Sequence, residues 1–120
     1  MTTLVKEYPY SKWRECKNGL VFFSGVVGVD KDGALAGDVR SQVRQALENL
    51  RMNLALAGLD VQDVVKVTAF LAVQDDFEAF NEVYATAFQD PRPARSTVVG
   101  APPVKGMLVE IEAIAERLKK

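Results

Sequence analysis

The strand-forming segments of this chain are apolar on both faces, and that narrows the folds open to it. Leu20-Val21-Phe22-Phe23-Ser24-Gly25-Val26-Val27-Gly28-Val29 and Val64-Val65-Lys66-Val67-Thr68-Ala69-Phe70-Leu71-Ala72-Val73 are β-branched runs of strand length. Period-two alternation puts Val21, Phe23, Val65 and Val67 on one side, and Leu20, Phe22, Val64 and Phe70 on the other. A sheet with one wet face would alternate apolar with polar instead. Only two helical segments are available as cover. The first follows Asp38 as N-cap, repeats Val39, Val43, Leu47, Leu50, Leu54 and Ala57, and stops at Gly58. Arg40, Arg44, Glu48 and Arg51 take its other side. The second, with Asp75 or Asp76 placed to cap it, carries Phe77, Phe80, Tyr84, Ala87 and Phe88 before Asp90-Pro91-Arg92-Pro93 ends it. Two helices cover one face of such a sheet. The other face calls for a partner, and a second copy of the chain is the economical one, with the sheet face or its rim at the contact.

The remaining segments complete an α+β pattern. Lys17-Asn18-Gly19 predicts a hairpin between residues 11–16 and the first long strand. Arg95-Ser96-Thr97-Val98-Val99-Gly100 and residues 107–115 read as the last two strands, which gives the order β-β-α-β-α-β-β in one domain over residues 1–120.

Composition removes much of enzyme chemistry. The chain has no His and one Cys, so a His-based triad, a Cys/His pair, a zinc site of the usual ligands and an internal disulfide are all excluded. Fifteen Lys and Arg against sixteen Asp and Glu leave a net charge of -1, which is no electrostatic footprint for nucleic acid or an acidic membrane. The polar start, the absence of any apolar run near bilayer length and the unpaired Cys16 predict a cytoplasmic protein.

Residues able to carry chemistry cluster late in the chain. In Met107-Leu108-Val109-Glu110-Ile111-Glu112-Ala113-Ile114-Ala115, the odd positions share one face and Leu108, Glu110, Glu112 and Ile114 the other. Two carboxylates thus stand about 7 Å apart on one strand face. That face is either wet with two aliphatics on it, or buried with two acids that need partners. Arg95 opens an apolar strand after a Pro-containing entry, and its fork of donors matches a planar carboxylate, a ligand's or that of either glutamate. Asn81 borders the aromatic stripe, Tyr10 lies in the first strand region, and Ser24-Gly25 marks either a bulge or a place where a ligand approaches the backbone. Cys16 receives no role.

Together these residues carry a family resemblance over nearly the whole chain. Val21-Phe22-Phe23-Ser24-Gly25, the helix with Gln42, Ala46, Leu47, Asn49 and Leu50, Ala57-Gly58-Leu59 and Val64–Leu71 begin the match. Asp76-Phe77-Glu78-Ala79-Phe80-Asn81-Glu82-Val83-Tyr84, Pro93-Ala94-Arg95-Ser96 and Val109-Glu110-Ile111-Glu112-Ala113-Ile114-Ala115 complete it. In order and spacing the chain resembles the Rid/YjgF family of reactive-intermediate enamine/imine deaminases. The resemblance implies a chorismate-mutase-like α+β fold, a mixed sheet with two helices on one face, and a trimer with a barrel-like core and active sites between subunits. It implies hydrolysis of imino acids such as 2-aminoacrylate to 2-oxo acids and ammonia, without cofactor or metal. It assigns Arg95 to the substrate carboxylate, Glu110 to the attacking water, and Asn81 and Tyr10 to the cleft; Ser24 and Gly25, where a ligand could approach the backbone, join them as expected substrate-binding residues. Two positions depart from the best-studied branch: Thr97 stands where that branch has Cys, and Val26 where it has Gln. Thr97 shares a strand face with Arg95, within reach of a substrate amine or water. A non-catalytic trimer that binds small carboxylates, and a pathway-specific deaminase such as one acting on 2-aminomuconate, are the alternatives that these residues leave open.

Overall fold

A computed structural model of the protein describes residues 8–117. Strands β1 (Trp13–Glu15) and β2 (Leu20–Val27) lead into helix α1 (Val39–Leu56), then β3 (Val64–Leu71), helix α2 (Phe77–Tyr84), β4 (Ala94–Val99) and β5 (Val109–Glu116). One five-stranded sheet results, in the order β1-β2-β5-β3-β4. β3 and β4 run parallel, and every other neighbouring pair is antiparallel. The α2 crossover provides the long connection that a parallel pair requires.

Local chemistry accounts for the elements. The Asp38 carboxylate accepts the Ser41 N–H at 2.8 Å and caps α1. Gly58, at φ 77°, provides the left-handed residue that ends it. Gln42 is the buried polar side chain of the core. Its Nε2 donates to the carbonyls of Ala36 and Gly106, and its Oε1 accepts the Leu108 N–H at 2.8 Å, tying the start of α1 to the loop before it and to the loop that leads into β5. The core lies between the helices and one sheet face: Val21, Phe23, Val67, Ala69, Leu71, Val109, Ile111, Ala113 and Ala115 meet Val43, Ala46, Leu50, Leu54 and Phe80.

The α+β order and the two helices on one face are as predicted, with corrections in detail. Neither Asp75 nor Asp76 caps α2 through its side chain; a 3-10 turn over Gln74–Asp76 leads straight in. α2 stops at Tyr84, so Phe88 is buried from the segment after it, and Phe77 is 41% exposed. A bulge between Val64 and Lys66 shifts the phase of β3. Val64 and Val67 therefore both point into the core while Val65 is exposed, the reverse of strict alternation. The face away from the helices is mixed rather than apolar: Phe22, Phe70, Val98 and Ile114 alternate with Arg14, Lys66, Thr68, Glu110 and Glu112.

Candidate active site

The register divides the candidate residues into two groups. Arg95 pairs with Val67 and Thr97 with Ala69, both core residues, so Arg95 and Thr97 project toward the helices. Glu110 pairs with Phe70 and Glu112 with Thr68, on the opposite face. β4 is also an edge strand, while Ser24 and Gly25 lie in β2, three strands away in the sheet order. That separation is about 14 Å before the change of face is counted.

The first group is built on α2. The guanidinium carbon of Arg95 lies 4.6 Å from the Tyr84 ring centre, 5.1 Å from Phe80 and 5.9 Å from Phe77. Among the described residues Arg95 pairs with no carboxylate, so neither glutamate is its partner within the chain. Asn81 is half-buried, one turn from both Phe77 and Tyr84 on the helix surface. The Tyr84 hydroxyl is buried without a hydrogen-bond partner. Burial pushes its pKa up, against the opposing pull of Arg95 and Arg92.

The second group gathers where β2 meets β5. β2 bulges between Phe23 and Val26, and the Glu110 side chain lies over Gly25. A Cβ at Gly25 would overlap the Glu110 carboxylate and sit 2.9 Å from its Cγ and Cδ, so only glycine leaves this acid its place. Of the two readings of Ser24-Gly25, the bulge is present, and the group that lies against the Gly25 backbone is the chain's own Glu110 carboxyl. Burial, and secondarily the charge of Glu112, hold the Glu110 carboxyl above its ordinary pKa. Ser24 Oγ donates to the Ser11 carbonyl at 2.6 Å, anchoring the segment that carries Tyr10. Tyr10, Ser24 and Gly25 line one cleft of about 690 Å³. Tyr10 and Ser24 also border a second cleft of about 600 Å³ that reaches Arg14 and Glu112. From below, Asn49 Nδ2 donates to the carbonyls of Val27 and Val29 at 2.8 Å each, fixing the end of β2 beside Glu110.

Two features escaped the sequence reading. Phe77, Phe80 and Tyr84 appeared there only as a core stripe, whereas their rings carry Arg95; the one available signal was an aromatic stripe on the crossover helix just before the Arg95 strand. Asn49 bears no mark in the sequence that separates a strand anchor from a solvated helix residue. Among the described residues no His, Cys, Asp and Glu cluster could hold a metal ion, and no helix is long and apolar enough to cross a membrane.

Sheet, helices and the two groups define an α+β domain that holds an unpaired arginine fork on one face and a shielded acid on the other. The chain belongs to the YjgF/Rid family: the family model described as Endoribonuclease L-PSP matches residues 2–117. It is 44% identical over 102 residues to the 2-iminobutanoate/2-iminopropanoate deaminase of Salmonella typhimurium, covering 82% of this chain and 80% of that protein. The crystal structure of RidA from an Antarctic Psychrobacter superposes with a TM-score of 0.86 at 33% identity, over 94% of this chain and 92% of that one. The structure of E. coli TdcF with bound serine matches with a TM-score of 0.84 at 37% identity, over 94% and 91%.

Proposed function

We propose that this protein hydrolyses the C=N bond of small imino acids, and of the enamines that tautomerise to them, at sites shared between neighbouring copies of a homotrimer. The observation that carries this reading is Arg95, a half-buried guanidinium held by aromatic rings and paired with no carboxylate among the described residues. Its fork of N–H donors suits the carboxylate of an imino acid. Deaminase-named relatives and the serine bound to TdcF support a ligand of that class.

Arg95 fixes the carboxylate and so the C=N carbon beside it. Glu110 holds a water and accepts its proton as the oxygen adds to that carbon. That proton returns to nitrogen to give the neutral carbinolamine; the hydroxyl proton then passes to nitrogen as the C–N bond breaks, so ammonia leaves and the carbonyl of the 2-oxo acid forms. A carboxyl with a raised pKa suits both halves of this exchange. Thr97, on the face of Arg95, bonds the amine or the water; Tyr10, Ser24, Gly25 and Asn81 shape the walls. The imine is already electrophilic, so the scheme uses no cofactor, metal or covalent intermediate. Because Arg95 and Glu110 lie on opposite faces of one sheet, a ligand a few ångströms long meets both only across a contact between copies. The homotrimer is the assembly the family resemblance implies. An exposed free thiol at Cys16 suits the cytoplasm.

RNA cleavage, which the family model's description names, fits less well with a net charge of -1 and no His. The test is release of ammonia and 2-oxo acid from imino acids generated in situ, 2-iminobutanoate, 2-aminoacrylate and 2-aminomuconate among them. Acceleration over spontaneous hydrolysis is expected. Carboxylate binding without acceleration would replace the enzyme by a binding protein.

A further inference from the structure

Arg95 is half-buried, pairs with no carboxylate among the described residues and instead faces three rings. The difference matters for a binding group. A carboxylate partner would occupy the donor fork and cancel its charge. Ring faces attract the cation through their quadrupole and leave every N–H along the guanidinium edge available. Of the three rings, Tyr84 is nearest at 4.6 Å and lies between Phe80 at 5.3 Å and Phe88 at 5.1 Å, tilted against each. Tyr84 as a residue is only 7% exposed, so its packed neighbours restrain the plane of its ring. The hydroxyl, by contrast, is buried and has no hydrogen-bond partner among the described residues. No hydrogen bond among those residues requires a tyrosine there.

We propose that Tyr84 is a positioning residue for the imino-acid site, its ring face holding the Arg95 guanidinium in the plane and direction in which the fork meets a substrate carboxylate. The proposal rests on the reading of Arg95 as the carboxylate clamp. It assigns the effect to the ring and none to the hydroxyl. Loss of the plane lets the guanidinium sample other rotamers, which weakens carboxylate capture more than it slows the bond-making step, since Glu110 is untouched.

The experiment uses the assembled protein with Tyr84→Phe and Tyr84→Leu, each in the wild-type and Arg95→Met backgrounds. It reads kcat and KM for 2-iminobutanoate hydrolysis in the wild-type background, and in both backgrounds the calorimetric affinity for 2-oxobutanoate, a carboxylate probe that is not turned over. Tyr84→Phe is expected within twofold of wild type in all three values. Tyr84→Leu is expected to raise KM and weaken 2-oxobutanoate about tenfold, with kcat within about threefold. In the Arg95→Met background the step from Tyr to Leu should cost less than twofold. Equal weakening in both backgrounds would make Tyr84 a packing residue and overturn the proposal. So would a Tyr84→Phe variant as impaired as Tyr84→Leu, which would hand the role to the hydroxyl. Unchanged 2-oxobutanoate affinity in Arg95→Met alone would instead remove the clamp itself, and the platform with it. Should Tyr84→Leu fail to assemble, Phe77→Leu removes a more exposed ring of the same platform and is expected to weaken 2-oxobutanoate two- to threefold; no weakening overturns the proposal.

Discussion

Replacing Gly25 with alanine places one methyl group where the Glu110 carboxyl now lies. The added Cβ would overlap Glu110 Oε2 and sit 2.9 Å from its Cγ and Cδ, whereas ordinary contact begins at 3.4 Å, so the two carbons must retreat by about 0.5 Å and the carboxylate oxygen by more, or the acid must change rotamer. The backbone itself resists little, because Gly25 is not among the glycines at positive φ. Alanine also stiffens the unfolded chain by about 0.4–1 kcal/mol, which offsets much of the crowding. Net stability should therefore change by no more than about 1 kcal/mol. Catalysis should respond far more, since misplacing a reacting group by 1 Å costs about a hundredfold. We expect kcat for 2-iminobutanoate hydrolysis to fall about 10- to 100-fold, measured as ammonia release, with thermal melting close to wild type. A folded Gly25→Ala protein that turns over within twofold of wild type would show that the place of Glu110 beside Gly25 is irrelevant to the reaction.

Arg95→Lys keeps the charge but loses the fork, and kcat/KM for imino acids should fall about 10- to 100-fold while circular dichroism is unchanged; an unaltered rate removes the bidentate clamp. The pH dependence separates the two glutamates. If Glu110 activates the water as proposed, it must be ionised and the rate should be lost as pH falls through its raised pKa; Glu112→Gln removes a neighbouring negative charge, lowers that pKa and should move the acid limb of the kcat profile to lower pH, and a limb that stays put refutes the coupling. Gln42→Leu leaves the carbonyls of Ala36 and Gly106 and the N–H of Leu108 without this partner and should lower stability in urea by about 2–4 kcal/mol; a loss under 1 kcal/mol would mean that water replaces the side chain.

Much of the fold is legible where the rule is local. The Asp38 cap, the Gly58 stop, the Asn18-Gly19 hairpin and the alternation of β5 each rest on chemistry within a few residues. The bulge after Val64 is not legible, because one extra residue in a run of valines reverses the phase of its start without changing its composition. The site divides the same way. Arg95, Thr97, Glu110 and Glu112 stand out by type and strand phase. That Arg95 faces the helices and Glu110 the opposite side depends on the parallel β3–β4 pairing, which no local pattern encodes. The contact of Glu110 with Gly25 likewise joins strands far apart in the chain, and only the register brings them together.

The division of Arg95 and Glu110 between opposite faces is the centre of this account, and subunit mixing tests it most directly. Arg95→Met and Glu110→Gln proteins, each expected to be inactive on its own, are unfolded together in equal amounts, refolded and assayed for imine hydrolysis. If each site takes its arginine from one copy and its glutamate from the next, a random mixture rebuilds about one wild-type site in four, and activity should return to about a quarter of wild type. If both residues serve the site from the same chain, mixed trimers, verified by mass, will stay as inactive as their parents.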